Sequence, residues 1–262
     1  MEVIIRPDAQ MAADLTARLI AARLRAKPDL VLGLATGRTM ERVYDRLMDL
    51  AARGGLDFSR CRTFNLDEYI GIAPTDEHSY RHYMNRHLFS RINIDLANTH
   101  VPDGTAGDLR AEAAAYEARI KAAGSIDLQL LGIGEAGHIG FNEPLSALMS
   151  RTRDKALTPV TRRQNAGMFG GDPERVPARA LTMGVGTILD ARELLLLATG
   201  PAKAAIIAKA VEGPITAMIS ATTLQLHPNC KVILDAPAAD ELTQRAYYDW
   251  IFANEPEWQP FR

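Results

Sequence analysis

Short apolar runs rich in Leu, Val and Ile alternate along the whole chain with longer stretches of helical period. Such alternation is what successive βα units produce, and it points to an open, mainly parallel sheet flanked by helices, a Rossmann-like α/β fold. Strands are expected at Val3–Ile5, Leu30–Leu34, Arg62–Leu66, Leu128–Gly132, Leu194–Ala198 and Val232–Leu234. Parallel strands buried on both faces read as continuous apolar runs of this kind. Between them, Leu109, Ala113, Tyr116 and Ile120 place an apolar stripe on one face of a helix. Similar stripes run through Met11, Leu15 and Leu19 and through Leu242, Ala246 and Trp250, and all three read as core packing.

No repeat, low-complexity tract or linker-like shift divides the chain, so residues 1–262 read as one α/β domain. With 47% hydrophobic residues it has the material for a large core and is unlike a disordered chain. The 30 Lys and Arg against 32 Asp and Glu give a formal charge of −2. That balance supplies no broad cationic field for nucleic acid or anionic lipid, so an anionic ligand must be held locally. Two cysteines, Cys61 and Cys230, are too few for a disulfide framework and lack zinc-site spacing. No apolar run reaches membrane-spanning length, and the first residues lack the pattern of a secretory signal. A cytoplasmic protein is the expectation.

Two places read as strand, small-residue turn and helix start. The first is Leu34-Ala35-Thr36-Gly37-Arg38-Thr39, where a glycine turn and a helix N-terminus suit a phosphate. A nucleotide P-loop would need Gly-Lys-Ser/Thr, and Arg38 stands where that lysine would be. The plainer alternative is an ordinary βα turn with Thr39 as N-cap. The second is Ala198-Thr199-Gly200-Pro201-Ala202-Lys203, where Lys203 either projects a charge over the same sheet edge or is a solvated helix lysine. Open α/β sheets bind ligands at the carboxyl ends of their strands, so the two loops support each other.

Asp67 and Glu68 follow the apolar strand Thr63-Phe64-Asn65-Leu66. A carboxylate at a strand end, raised by burial, could remove a proton from carbon beside a carbonyl; equally, one or both could cap a helix or face water. The irregular stretch from Gly134 to Pro177 reads as functional loops or a lid. A literal G-x-G-x-x-G at Gly132, Gly134 and Gly137 runs into its start, but Gly140 and Pro144 deny the helix that a dinucleotide site needs. His138 and Glu143 make a better pair, because a carboxylate raises the pKa of a neighbouring imidazole and fixes its tautomer. The histidines at 78, 82, 87, 100, 138 and 227 offer no convincing zinc set, and the first three read as helix surface or packing residues.

Taken together, Phe64-Asn65-Leu66-Asp67-Glu68-Tyr69 and Gly137-His138-Ile139-Gly140-Phe141-Asn142-Glu143-Pro144 resemble the glucosamine-6-phosphate deaminase (isomerase) family. The resemblance continues through Ala180-Leu181-Thr182-Met183-Gly184-Val185-Gly186-Thr187 and Leu224-Gln225-Leu226-His227-Pro228, covering nearly the whole chain. It implies conversion of a 2-amino-aldose 6-phosphate to a ketose 6-phosphate with release of ammonia. Asp67 would then be the base at C2, His138 would assist ring opening, and Glu143 would tune and orient it. Thr36, Gly37, Arg38, Thr39 and Lys203 would form the phosphate site. No metal, nucleotide or redox cofactor is implied, and the only partner implied is an amino-sugar phosphate substrate. Ser146, Arg153 and Lys155 match part of a family effector site, although Ala147 replaces a serine there. Family members occur as monomers and hexamers, and a homo-oligomer stays open.

Three departures fall inside these motifs. Ala136 stands where the family often has Asp or Asn two residues before the histidine. Arg38 replaces a small residue in the phosphate loop, and Gly167 aligns with a family arginine that binds phosphate. The expectation is that Arg38 restores the lost guanidinium from another loop. The same changes could instead mark another amino-sugar phosphate, or a lactonase-like hydrolase of the same fold. A sugar-phosphate sensor is the non-enzyme alternative, and Asp67, His138 and Glu143 together argue against it.

Overall fold

A computed structural model describes residues 1–262. In chain order the elements are β1 (Glu2–Arg6), α1 (Ala9–Ala26), β2 (Val31–Leu34), α2 (Arg38–Ala52), β3 (Arg62–Asn65), β4 (Asp67–Tyr69) and α3 (Tyr80–His87). Then follow β5 (Thr99–His100), α4 (Leu109–Ala122), β6 (Leu128–Leu131), β7 (Arg153–Ala156), α5 (Pro159–Asn165) and β8 (Arg179–Thr182). The last are α6 (Val185–Leu189), β9 (Leu194–Ala198), α7 (Ala204–Glu212), β10 (Cys230–Asp235) and α8 (Arg245–Asn254).

Seven strands form one all-parallel sheet in the order β1-β10-β9-β6-β2-β3-β5. Strands β2, β6, β9 and β10 are buried along their whole length, as their apolar sequences require when helices cover the sheet. All six expected strands lie in this sheet, with ends shifted by a residue or two. The chain folds back between β5 and β6, so β6 pairs with β2 and a topological switch point falls at the centre of the sheet.

A second, three-stranded antiparallel sheet, β4-β8-β7, was not expected from the sequence. Its strands read Asp-Glu-Tyr, Arg-Ala-Leu-Thr and Arg-Asp-Lys-Ala, which carry no apolar run. The chain passes from the large sheet to the small one at Leu66, whose N–H donates to Leu34 O while its own carbonyl accepts from Met183 N–H. Asp67 is therefore the first residue past the carboxyl edge of the large sheet.

Two helix stripes need correction. Leu15 and Leu19 are buried, but Met11 is exposed at the start of α1. Leu242 is buried yet precedes α8, whereas Ala246 and Trp250 face outward. Helix α8 buries Tyr248 and Ile251 instead, and the indole that fills the core beside it is Trp258, which packs on Phe252. A spacing rule finds a stripe but not which stripe the core accepts. Of the three clustered histidines, His82 and His87 lie on α3, while His78 precedes its N-cap Ser79.

Candidate active site

Strands β9, β6, β2 and β3 are neighbours in the sheet, so the four loops at their carboxyl ends converge on one edge. After β2, Gly37 turns the chain with φ 114°, a conformation that L side chains rarely adopt, and serves as N-cap of α2. Thr39 is thus not the N-cap; it lies in the first turn beside Arg38, and Thr36 precedes the turn. The Tyr83 hydroxyl holds the loop by donating to Gly37 O at 2.9 Å. First-turn N–H groups and the helix dipole make this edge anion-friendly.

Arg38 is exposed and makes no hydrogen bond or ion pair to another side chain. Its Nη2 lies 4.0 Å from where a Cβ on Gly167 would stand. The guanidinium therefore borders the space that a side chain at position 167 would enter. After β9, half-buried Lys203 reaches across to donate to Ile133 O at 2.9 Å, at the foot of the loop that follows β6. Burial holds its pKa below the usual lysine value, opposed by the charge of Glu135.

The two adjacent carboxylates separate into distinct roles. Glu68 accepts N–H bonds from Tyr69, Tyr80 and Arg81, each at 2.9 Å, so it fastens the start of α3. Burial still pushes its pKa up to about 7 against those bonds. Asp67 is 7% exposed, and burial, followed by the charge of Glu68, pushes its pKa up to about 8 with no hydrogen bond opposing. A Cβ on Gly140 would lie 2.9 Å from Thr182 Oγ1 and 3.5 Å from Asp67 Oδ2. Glycine here lets the histidine loop pass directly against the Asp67 carboxylate.

That loop is a turn and not a helix start, which removes the dinucleotide reading of its glycines. Gly134 N–H donates to His138 O at 2.9 Å, and Gly137 N–H donates to Gly134 O at 3.0 Å. The imidazole folds over Gly134, where a Cβ would fall 2.2 Å from His138 Nε2. His138 Nδ1 stands 3.7 Å from Glu143 Oε2, within Coulombic range but beyond a hydrogen bond, and is buried without a partner. Against the sequence expectation, the His138 pKa is lowered: burial outweighs the opposing pull of Glu143, and Lys203 adds to the lowering. Burial thus favours the neutral ring. Glu143 is itself fixed by Thr158, whose N–H donates at 2.9 Å and whose hydroxyl donates at 3.3 Å.

The segment that the sequence reads as a lid packs beside this edge, bonded to the Glu135 turn and to Tyr69. Helix α5 and the 3₁₀ turn Ala166–Phe169 carry Ala166 and Phe169 into a small apolar core with Tyr69, Tyr80, Phe141, Leu157, Val176 and Ala180. Three residues of the lid that the sequence did not single out touch the site's walls or its supports: Thr158, Gln164 and Asn165. They are polar, follow no period and precede no strand, so only proximity reveals them.

The three effector candidates fare unequally. Arg153 donates from Nη1 to Asn142 Oδ1 at 2.8 Å and lines a cleft of about 290 Å³ with Arg110, Glu117 and Arg151. Ser146 is buried with its hydroxyl unpartnered, and half-buried Lys155 follows on β7; neither lines that cleft. No group of three or more His, Cys, Asp or Glu side chains is arranged to hold a metal ion, and no helix is long and apolar enough to cross a membrane.

Residues 8–230 match the family described as glucosamine-6-phosphate isomerases/6-phosphogluconolactonase. The chain is 49% identical over 259 residues to a glucosamine-6-phosphate deaminase of Arthrobacter sp. (strain FB24), covering 99% of both chains. It is 50% identical over 251 residues to the enzyme of the same name from Hahella chejuensis, covering 96% of this chain and 95% of that one. Among solved structures, a monomeric glucosamine-6-phosphate deaminase superposes with a TM-score of 0.90 at 41% identity, covering 92% of this chain and all of the other.

Proposed function

The chain belongs to the glucosamine-6-phosphate isomerase/6-phosphogluconolactonase family, and within it we propose that it is a glucosamine-6-phosphate deaminase, turning the amino sugar and water into fructose 6-phosphate and ammonia. What supports this reading most is the seating of the Asp67 carboxylate, buried and without a hydrogen-bond partner, against Gly140 of the loop that carries buried His138, at the sheet edge that also bears Arg38 and Lys203.

Ring opening needs a proton taken from the C1 hydroxyl and one delivered to the ring oxygen, and Nε2 of a neutral imidazole can relay it from the first to the second while buried Nδ1 stays turned toward Glu143. Glu143 stabilises the imidazolium that forms in passing. Asp67 then takes the C2 proton and returns it to C1. The enolamine between these steps becomes a ketimine, which water hydrolyses with loss of ammonia. A carboxylate near pKa 8 is a far better proton acceptor from carbon than one near 4. The first turn of α2, Arg38 and Lys203 hold the phosphate, with Arg38 supplying the guanidinium that Gly167 cannot. The exchange keeps the charge but moves it from the lid to the scaffold.

The test is a coupled assay for ammonia and ketose phosphate across several 2-amino-sugar 6-phosphates, alongside acid release from 6-phosphogluconolactone. Ammonia release from glucosamine 6-phosphate, lost in Asp67→Asn with binding retained, is the expected result. Acid release from the lactone without ammonia would replace the reading with a hydrolase. Binding of every sugar phosphate with turnover of none would leave a sensor.

A further inference from the structure

Gln164 and Asn165 are adjacent on the last turn of α5, yet their amide side chains engage two different walls. Gln164 Oε1 accepts from the Glu135 N–H at 2.9 Å. Asn165 Nδ2 donates to the Tyr69 hydroxyl at 2.9 Å, and that hydroxyl also accepts from Tyr80 at 3.2 Å. Glu135 is the tip of the turn that carries His138, closed behind it by the Gly134–His138 and Gly137–Gly134 backbone bonds. Tyr69 is two residues from Asp67 on the same short strand.

His138 needs such a support. Its Nδ1 has no hydrogen-bond partner, and the nearest carboxylate is 3.7 Å away. A ring with no bond of its own takes its orientation from the backbone of its turn and from packing over Gly134. We infer that Gln164, with Asn165 beside it, is a positioning residue: it fastens the lid to the tip of the histidine turn and so fixes the imidazole, while Asn165 fastens the same helix to the strand that carries Asp67. The inference rests on the deaminase reading of this site. It places lid closure and the alignment of both proton-transfer groups in one event, because one helical turn can make both bonds only when α5 is seated.

The experiment uses the full chain in four variants: Gln164→Leu, which removes the acceptor at similar volume; Gln164→Glu, which keeps one; Asn165→Ala, which removes the bond to Tyr69; and Arg163→Ala, an exposed change on the same helix. With glucosamine 6-phosphate, Gln164→Leu is expected to lower kcat roughly tenfold with KM held within about twofold, the size of one lost hydrogen bond at an alignment step. Gln164→Glu recovers most of the loss, Arg163→Ala leaves both constants unchanged, and Asn165→Ala follows Gln164→Leu. Amide hydrogen exchange at Glu135, read without substrate, speeds up in Gln164→Leu and not in Gln164→Glu. Unchanged kcat, an equal loss in Gln164→Glu, or an effect confined to KM would overturn the inference. A wild-type chain that releases no ammonia would remove the deaminase reading, whereas unchanged exchange at Glu135 in Gln164→Leu would remove this inference alone.

Discussion

The two sheets contribute different things to one site. The large sheet rests on a core of 61 buried residues and supplies the loops of fixed charge, those of Arg38 and Lys203. The small sheet rests on a core of eight, and it carries Asp67 on one strand and, just past another, the Thr158 that holds Glu143. On the proposed reading, phosphate grip falls to loops of the large sheet, while the proton-transfer groups are split between the two: Asp67 stands on the small sheet and His138 on the loop that follows β6 of the large one. Few buried contacts mean a low free energy of local opening, which is the property a covering lid requires.

The sharpest break of this comparison is Asp67→Asn, which should lower turnover about 10³-fold, the range of a lost general base, with little change in KM. The same variant should be more stable above pH 8. Folded Asp67 binds its proton more tightly than the unfolded chain, so its stabilising contribution is present in acid and is lost as pH climbs from the ordinary 3.8 to about 8. Asparagine removes that loss. Thermal melting against pH checks the sign, and wild-type kcat/KM should fall on the acid side of about pH 8 as the base becomes protonated.

Arg38→Ala should raise KM about 30-fold, equivalent to about 2 kcal/mol for a charge-assisted contact, while kcat changes little. Arg38→Gly paired with Gly167→Arg should restore most of the affinity by returning the guanidinium to the lid. An unchanged KM in Arg38→Ala would show that Arg38 does not hold the phosphate.

Phe169→Ala and Leu196→Ala compare the two cores directly. Leu196 is fully buried in the centre of β9, and its loss should cost about 2–5 kcal/mol of global stability in denaturant titration. Phe169 stacks on His78 at 4.9 Å and meets Tyr69 edge-on at 5.4 Å. Its loss should instead lower kcat/KM by about tenfold and quicken amide exchange in the lid, with a smaller change in the global midpoint. Equal global losses would mean that the two cores unfold as one. The smallest effect is expected from Thr158→Ser, which keeps the N–H bond to Glu143, the hydroxyl bond and the N-cap of α5 and removes only a methyl group, for less than about a twofold change in kcat.

What was legible follows the same division. All six apolar strands appear in the large sheet, because a strand covered on both faces must be apolar and so announces itself. The four loops were findable because they follow such strands. The small sheet was invisible: Asp67-Glu68-Tyr69 reads as a polar loop, and its strand character comes from pairing with Thr182, Leu181 and Ala180, more than a hundred residues away. The division of labour between Asp67 and Glu68 was equally hidden, since it depends on which carboxylate meets the N–H groups of α3.

By itself the sequence determined the architecture of the main sheet, the edge at which its loops converge, and the residue types available there, because burial periodicity and glycine-bearing turns are local properties. Tertiary structure alone decided the direction in which burial shifts the pKa values of those residues and who supports them. Burial reversed the expected direction for His138, raised Asp67, and brought Gln164, Asn165 and Thr158 against partners distant in the chain or across the fold. Desolvation and hydrogen bonding act between neighbours in space, and a chain read one residue at a time does not contain those distances.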